Sequence, residues 1–203
     1  MKIFLVRHGE TQGNAQGVFY GRTNLCLTDK GVEQSSQIAH WLSGITFDLA
    51  LTSTLDRAIM TADLILAHQK IGCQREARLN EIDFGAWEMC HFNEIAQNYP
   101  ADWEQWVKDN QTACPTQGES FAHFRSRVHE FADELREWQE PKNLLIVAHQ
   151  GVLSLLLAHL LHMPASAMWH FPFSHDAYSV IDNQSDFISL HIFNGQTDYL
   201  SHV

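Results

Sequence analysis

Apolar residues recur along this chain in two patterns, short unbroken runs and longer periodic segments. Unbroken runs such as residues 3–6 and 144–148 are typical of strands buried on both faces of a parallel sheet. Residues 118–138 instead repeat apolar positions at steps of three and four, which predicts an amphipathic helix. The predicted strands are residues 3–6, 47–52, 144–148, 178–181 and 187–193. The predicted helices are residues 28–44 with Thr28 as N-cap, 53–69 with Ser53 or Thr54 as N-cap, 118–138 and 151–161.

The order of these elements predicts one α/β domain over residues 1–203, a three-layer α/β/α fold with a mostly parallel central sheet. Residues 85–116 interrupt the alternation because they are rich in aromatic side chains but contain no strand pattern. We expect a helical lid insertion over a pocket here, at about residues 85–117. The alternative is that its aromatic side chains fill a small secondary core. These aromatics are Trp87, Phe92, Tyr99, Trp103 and Trp106.

The chain is acidic, with a formal net charge of −11. This charge argues against nucleic acid and anionic membranes as partners, although a few local arginines can still bind a small anion. The four cysteines show no C-x-x-C pairing, and only four apolar residues separate Lys2 from Arg7, so we expect no signal peptide. The longest apolar stretch, Val152 to Met163, is too short to span a bilayer. We therefore expect a reduced, soluble, cytoplasmic protein.

Reactive side chains follow the ends of three predicted strands. Arg7 and His8 come directly after the first strand, and His149 comes directly after residues 144–148. Arg57 falls in the first turn of a predicted helix, where a cation opposes the helix dipole unless an anion lies between them. Carboxyl ends of strands line the ligand crevice of an open α/β sheet, and guanidinium groups match the oxygens of phosphate. The sequence therefore favours a phosphate site at this edge.

The usual signatures of other phosphoryl-transfer chemistries do not occur in this sequence. There is no G-x-x-x-x-G-K-[ST] loop, no cysteine followed by arginine at the spacing of thiolate phosphatases, and no strand-end pair of aspartates. Histidine is then the remaining candidate nucleophile.

Residues 6–14, with the sequence VRHGETQGN, resemble the signature of the histidine phosphatase (phosphoglycerate mutase-like) superfamily. Residues 27–34, 53–62 and 79–88 and His149 match further elements of that superfamily in order. The C-terminal half is also similar to a subfamily, the α-ribazole-5′-phosphate phosphatases of cobalamin nucleotide-loop assembly. That similarity covers residues 115–119, 149–156 and 163–171.

The resemblance implies a phosphoglycerate mutase-like fold and a metal-independent hydrolysis of phosphomonoesters that uses no cofactor. His8 would form a phosphohistidine, and the arginines would help keep it neutral. Arg7, Arg57 and His149, with Asn14, would hold the phosphate oxygens. Glu81 would act as acid and then as base, and we expect burial to favour its protonated form. The remaining candidate substrate-binding residues are Tyr20, Gly21, Arg22, Gln150 and Trp87, with stacking on Trp87, Tyr99 or Trp103 as one use of the aromatic segment.

Several alternatives stay open. A mutase or bisphosphatase needs a second anion site, but residues 85–116 contain only Lys108 as a cation. A broad-specificity phosphatase and a catalytically silent phospho-ligand binding module both fit parts of the pattern. A metal protein is the third class, prompted by 13 histidines, among them His159, His162, His170 and His175, although no metal-type ligand spacing is present. The sequence predicts no metal site and makes no prediction of the oligomeric state.

Overall fold

A central sheet organises the molecule, and the computed structural model describes residues 1–138, 140–184 and 187–202. Within these residues the strands form one sheet in the order β3-β2-β4-β1-β5-β6. The pairs β1–β4, β2–β4 and β2–β3 are parallel, whereas β1–β5 and β5–β6 are antiparallel. The strands are β1 (Lys2–Arg7), β2 (Leu49–Thr52), β3 (Gln74–Arg75), β4 (Asn143–Ala148), β5 (Tyr178–Gln184) and β6 (Phe187–Gly195). The prediction of a mostly parallel α/β sheet is confirmed.

Helices cover both faces of this sheet. Ile3 and Leu5 of β1 pack into one core cluster with the helices Phe121–Arg136 and Gln150–Leu160, while Phe4 and Val6 pack into another with the helices Asp29–Trp41 and Asp56–Leu66. Successive strand residues point to opposite faces, so one apolar run serves both cores. The helices are α1 (Gln12–Gln16), α2 (Asp29–Trp41), α3 (Asp56–Leu66), α4 (Phe92–Asn98), α5 (Pro100–Lys108), α6 (Phe121–Arg136) and α7 (Gln150–Leu160). The molecule is therefore the three-layer α/β/α sandwich predicted from the sequence.

The start of α3 differs from the prediction of a Ser53 or Thr54 cap. The helix begins at Asp56, and its N-cap, Leu55, provides no side-chain capping bond. Both the N–H and the hydroxyl of Thr54 donate to Asn80 Oδ1, at 2.8 and 3.0 Å. The Ser53 hydroxyl lies 2.8 Å from His149 Nε2. These tertiary contacts occupy both candidate caps, so the helix starts later.

Residues 85–116 contain α4, α5 and a short 3₁₀ helix, Gly85–Trp87. They add no strand to the central sheet, in which β2 pairs directly with β4 and β4 with β1. In the part of the chain that the structure describes, no helix combines the length and hydropathy needed to cross a membrane.

The register of the sheet places the reactive side chains together. Val6 lies opposite Val147, and Arg7 lies opposite Ala148, so His8 and His149 leave the sheet side by side. The N–H of His8 donates to the carbonyl of Ala148 at 3.0 Å, which continues the ladder by one bond. The parallel register of the backbone therefore places His8 and His149 next to each other.

Candidate active site

Two buried histidines form the floor of the site. His8 is 3% exposed and His149 is 1% exposed, and their ring centroids are 5.0 Å apart. His8 Nδ1 donates to the carbonyl of Gly9 at 2.8 Å, which leaves the Nε2 lone pair facing the site. His149 Nδ1 accepts from Arg57, so its Nε2 carries the proton and donates to Ser53 Oγ. Both rings therefore present an unprotonated nitrogen to the same point.

The guanidinium of Arg57 lies at that point and is 1% exposed. Its Nε donates to His8 Nε2 at 3.3 Å and to His149 Nδ1 at 3.2 Å. Its Nη1 donates to the Thr23 carbonyl at 2.9 Å, and its Nη2 donates to the Gly21 carbonyl at 2.6 Å. Every one of these partners within the described residues is neutral, so the buried positive charge forms no direct ion pair there.

Arg7 adds a second guanidinium. Its Nη1 donates to the Phe173 carbonyl at 2.9 Å and to Gln150 Oε1 at 3.3 Å. Its Nε is buried and has no partner among the described residues. Burial lowers the pKa of both Arg7 and Arg57, because desolvation penalises the charged form. An anion bound here would stabilise both buried guanidinium groups and would accept a hydrogen bond from the unpaired N–H of Arg7.

Both histidines are neutral near pH 7. Burial lowers the pKa of His8 well below its ordinary value, and the Arg57 charge lowers it further. The pKa of His149 is also well below its ordinary value, because burial lowers it most and the Arg57 charge lowers it further. The sequence-based argument gave this role to the arginines alone, whereas in the structure burial makes the larger contribution.

The Glu81 carboxylate borders the site and is 9% exposed. Its Oε2 accepts from the N–H of Gly151 in the first turn of α7, at 2.9 Å, and its Oε1 accepts from the N–H of Ile82 at 3.0 Å. A Cβ at Gly151 would lie 2.6 Å from Glu81 Oε1. Arg127 donates to the carbonyls of Asn80 at 2.6 Å and Glu81 at 3.1 Å, which fixes the backbone beneath the carboxylate.

Asn14 and Tyr20 lie together beside Arg57. The hydroxyl of Tyr20 donates to Asn14 Oδ1 at 2.7 Å, and the Thr11 N–H donates to the same oxygen at 3.1 Å. The Tyr20 ring lies under the Arg57 guanidinium, 4.7 Å from centroid to Cζ. The amide oxygen of Asn14 is therefore occupied, and its NH₂ group is the part suited to a phosphate oxygen.

Gly21 and Arg22, both predicted to contact substrate, have different surroundings in the structure. Gly21 presents its carbonyl to Arg57, and a Cβ there would lie 1.7 Å from the Ile82 carbonyl oxygen. The Arg22 side chain lines a separate depression with Asp83 and Glu119. Close packing explains the glycine at position 21.

An apolar cavity of about 410 Å³ opens beside Glu81 and Gln150. Gln150 lines the cavity, and its Oε1 accepts from Arg7. Aromatic and aliphatic side chains form most of the walls. The lining residues include Phe19, Phe84, Trp106, Phe121, Phe124, Met168, Trp169 and Ser154. The cavity can therefore hold an apolar group next to a carboxylate.

Trp87 does not line this cavity, which corrects its prediction as a substrate contact. Its side chain is 0% exposed, and its indole N–H donates to Thr116 Oγ1 at 3.1 Å. Its ring packs edge-on against Trp103 and Trp106. For Trp87 the secondary-core alternative is the correct one, and Trp106 is the tryptophan of this segment that reaches the cavity.

His175 belongs to the site, although the sequence considered it only as a metal ligand. Its Nδ1 donates to the His8 carbonyl at 2.6 Å, and burial, with Arg7 adding to it, lowers its pKa to about 4. Antiparallel pairing of β5 with β1 sets Tyr178 opposite Val6, so the residues before β5 lie beside His8. In the sequence, the closeness of His175 to a predicted closing strand was the signal that could have placed it in the site.

The histidines considered as metal ligands do not form a cluster. His159 Nε2 lies 2.7 Å from Asp133 Oδ1, and its ring stacks on His129 with centroids 3.9 Å apart. Over residues 1–138, 140–184 and 187–202, no three His, Cys, Asp or Glu side chains group as a metal site.

The fold and the site define the class: an α/β protein with a buried, cationic anion site beside a neutral histidine at the carboxyl edge of its sheet. Comparison with known families then gives the family. The model of the histidine phosphatase superfamily (branch 1) matches residues 3–195. The chain belongs to this superfamily, as its resemblance implied.

Individual relatives extend over nearly the whole chain. It is 43% identical to the adenosylcobalamin/alpha-ribazole phosphatase of Escherichia coli (strain K12), over 97% of each chain. It is 30% identical to phosphoserine phosphatase 1 of Hydrogenobacter thermophilus, over 89% of this chain and 86% of that one. The crystal structure of the alpha-ribazole phosphatase from Shigella flexneri matches with a TM-score of 0.94 and 42% identity, over 97% of this chain and 98% of that one.

Proposed function

We propose that this chain is a metal-independent phosphomonoester hydrolase that forms a phosphohistidine on His8. One observation carries the proposal: the unprotonated Nε2 of His8 faces a buried site with two guanidinium groups, neither of which forms a direct ion pair within the described residues. Membership of the histidine phosphatase superfamily, whose chemistry uses a phosphohistidine, supports the same assignment. A purely binding site would need the cations but neither a nucleophile nor a proton donor.

In the first half-reaction His8 Nε2 attacks phosphorus in line with the ester oxygen. The N–P bond forms, the P–O bond breaks, and Glu81 gives its proton to the leaving oxygen. Arg7, Arg57 and the Asn14 amide donate to the equatorial oxygens as their charge redistributes. His149 does the same once its proton moves to Nδ1 and its Nε2 accepts from the Ser53 hydroxyl. A phosphate oxygen at Arg57 Nε also removes the hydrogen bond that engages the His8 lone pair, so binding exposes the nucleophile.

In the second half-reaction water attacks the phosphohistidine. Glu81 takes a proton from the water, the P–N bond breaks, and neutral His8 is restored as phosphate leaves. The N–H groups of Ile82 and Gly151 hold the Glu81 carboxyl group in place for both proton transfers.

The proposed substrate is α-ribazole 5′-phosphate or adenosylcobalamin 5′-phosphate, in cobalamin nucleotide-loop assembly. The names of the relatives point to these compounds. The apolar cavity beside Glu81 supports them, because a leaving group with an aromatic ring would bury that ring against Phe84 and Trp106. The proposal keeps residues 85–117 as a lid within one domain. It includes a cytoplasmic location, which four free thiols favour.

The test is steady-state hydrolysis of a panel of phosphomonoesters in EDTA. The panel contains α-ribazole 5′-phosphate, 3-phosphoglycerate, a sugar phosphate, a nucleoside monophosphate and an aryl phosphate. We expect kcat/KM for α-ribazole 5′-phosphate of about 10⁴ M⁻¹s⁻¹ or more, at least about 100-fold above the others. His8→Ala should abolish turnover, and His68→Ala, a change at an exposed histidine, should not.

Each other result has a definite meaning. Uniformly weak activity that survives EDTA would keep the phosphohistidine mechanism and replace the cobalamin substrate by a broad range of small phosphomonoesters. Activity that EDTA removes would contradict the metal-independent mechanism. Tight phosphate binding with no turnover would identify a silent binding module.

A further inference from the structure

The Glu88 carboxylate is surrounded by backbone donors from the loop of residues 21–23. Its Oε1 accepts from the N–H groups of Gly21 and Arg22, each at 2.9 Å, and from the N–H of Phe84 at 3.2 Å. Its Oε2 accepts from the N–H of Thr23 at 3.0 Å and from the Thr23 hydroxyl. Burial raises the pKa of Glu88, but these bonds together bring it below its ordinary value. The group is therefore an ionised carboxylate that organises this loop.

The opposite side of the same loop holds Arg57. The carbonyls of Gly21 and Thr23 accept from the two terminal nitrogens of Arg57, at 2.6 and 2.9 Å. One peptide group links the two side chains directly: its N–H, from Arg22, donates to Glu88, and its carbonyl, from Gly21, accepts from Arg57. Hydrogen bonds in such a chain polarise and strengthen one another.

The positive charge of Arg57 explains why the Glu88 carboxylate is connected to it through a peptide group and not by a direct bond. A carboxylate bound directly to Arg57 would neutralise the cation that the phosphate needs, and it would compete with the phosphate for N–H donors. A carboxylate one peptide away orients the carbonyls and fixes the guanidinium, while the Nε edge stays between His8 and His149. The lack of a Cβ at Gly21 lets the loop pass against the Ile82 carbonyl in this conformation.

We propose that Glu88 is a positioning residue for Arg57, acting through the backbone of residues 21–23. The inference rests on the proposed function, because that function gives Arg57 its phosphate oxygen. The hydrogen bonds that connect Glu88 to Arg57 run through the backbone of residues 21–23, by way of the Gly21 and Thr23 carbonyls.

The test is Glu88→Gln, which keeps the shape but replaces one acceptor oxygen by an NH₂ donor facing the N–H groups of the loop. The matched control is Glu94→Gln, the same change at an exposed residue of α4. We expect kcat/KM for an aryl phosphate to fall about 100-fold, the loss typical of a misplaced catalytic group. The inhibition constant of orthovanadate, a phosphate analogue, should rise about tenfold or more, on the same physical basis. Glu94→Gln should leave both values unchanged.

A double-mutant cycle with Arg57→Ala separates positioning from a general structural effect. In the Arg57→Ala background we expect Glu88→Gln to change kcat/KM by less than about threefold, because the group that it positions is already missing. Equal factors in both backgrounds would overturn the inference. If Glu88→Gln does not fold, Glu88→Asp keeps the charge and shortens the side chain, and the same cycle decides.

The result distinguishes this inference from the proposed function. If the unaltered protein neither hydrolyses an aryl phosphate nor binds orthovanadate, the proposed function fails and the inference fails with it. If the unaltered protein does both and Glu88→Gln matches Glu94→Gln, only the positioning role is wrong.

Discussion

Arg57 has its two terminal nitrogens fixed by backbone carbonyls, and this decides which part of it can meet a substrate. Nη1 and Nη2 each donate to one backbone carbonyl, of Thr23 and Gly21, and the Nε–H faces the two imidazoles. A flexible guanidinium would lose rotamer entropy on binding phosphate, but this one has lost it on folding. At the scale of single residues the site is thus preorganised by neutral partners, and its charge is kept for the ligand.

Glu81→Gln tests the proton transfer at this scale. Glutamine cannot donate an acidic proton, so we expect kcat for an alkyl phosphate to fall about 10²–10⁴-fold, the usual contribution of a general acid or base. An aryl phosphate has a better leaving group and should lose far less in the phosphoryl-transfer step, which pre-steady-state burst measurements isolate. Equal losses for both substrates in that step would count against Glu81 as the acid. Glu94→Gln again serves as the control.

At the scale of elements, the ends of three strands and one helix set the positions of the reactive groups. Parallel pairing of β1 with β4 and of β2 with β4 brings His8, His149 and Ser53 to one edge. In the first turn of α7 the N–H of Gly151 donates to the Glu81 carboxylate. The positive end of the helix dipole therefore lies at the proposed acid–base residue.

Gly151→Ala tests this use of the helix. The new Cβ would lie 2.6 Å from Glu81 Oε1 and would displace the carboxylate. Alanine is also the better helix former by up to about 1 kcal/mol, so the helix itself should not weaken. We expect kcat for an alkyl phosphate to fall about tenfold or more, since small displacements of catalytic groups are costly, with little change in Tm.

The matched control is Gly72→Ala, because a Cβ at Gly72 meets no atom within 4 Å. That variant should keep full activity. Full activity of Gly151→Ala as well would show that Glu81 does not need its bond to α7.

At the scale of the whole molecule, the sequence predicts what depends on local pattern and misses what depends on tertiary contact. Unbroken apolar runs identified β1 and β4, and the residues after them gave Arg7, His8 and His149. The sequence does not show which side chains of residues 85–116 face the cavity. Trp87 was therefore predicted to contact substrate, whereas Trp106 lines the cavity. The start of α3 moved because Asn80, 26 residues away from Thr54, engages the predicted cap.

Buried neutral histidines also make the stability of the whole molecule dependent on pH. His129, outside the proposed site, has its Nε2 buried without a partner among the described residues. Burial, followed by the charges of His159 and Arg125, lowers its pKa to about 4, while Asp133 opposes the shift. In the unfolded chain its pKa returns to about 6.5, so the unfolded state binds more protons between these values. The free energy of unfolding should therefore fall as the pH drops from about 6.5 towards 4.

His129→Phe tests this sign without changing the proposed catalytic residues. Phenylalanine can stack on His159 but cannot take up a proton. We expect it to remove about 1–2 kcal/mol of the loss in unfolding free energy between pH 6.5 and 4, after allowance for the partial exposure of the side chain. Urea unfolding at both pH values measures the difference, with His68→Phe as the exposed control. An unchanged pH dependence in His129→Phe would mean that the acid sensitivity arises elsewhere, for example at His8, His149 and His175, whose pKa values are also lowered.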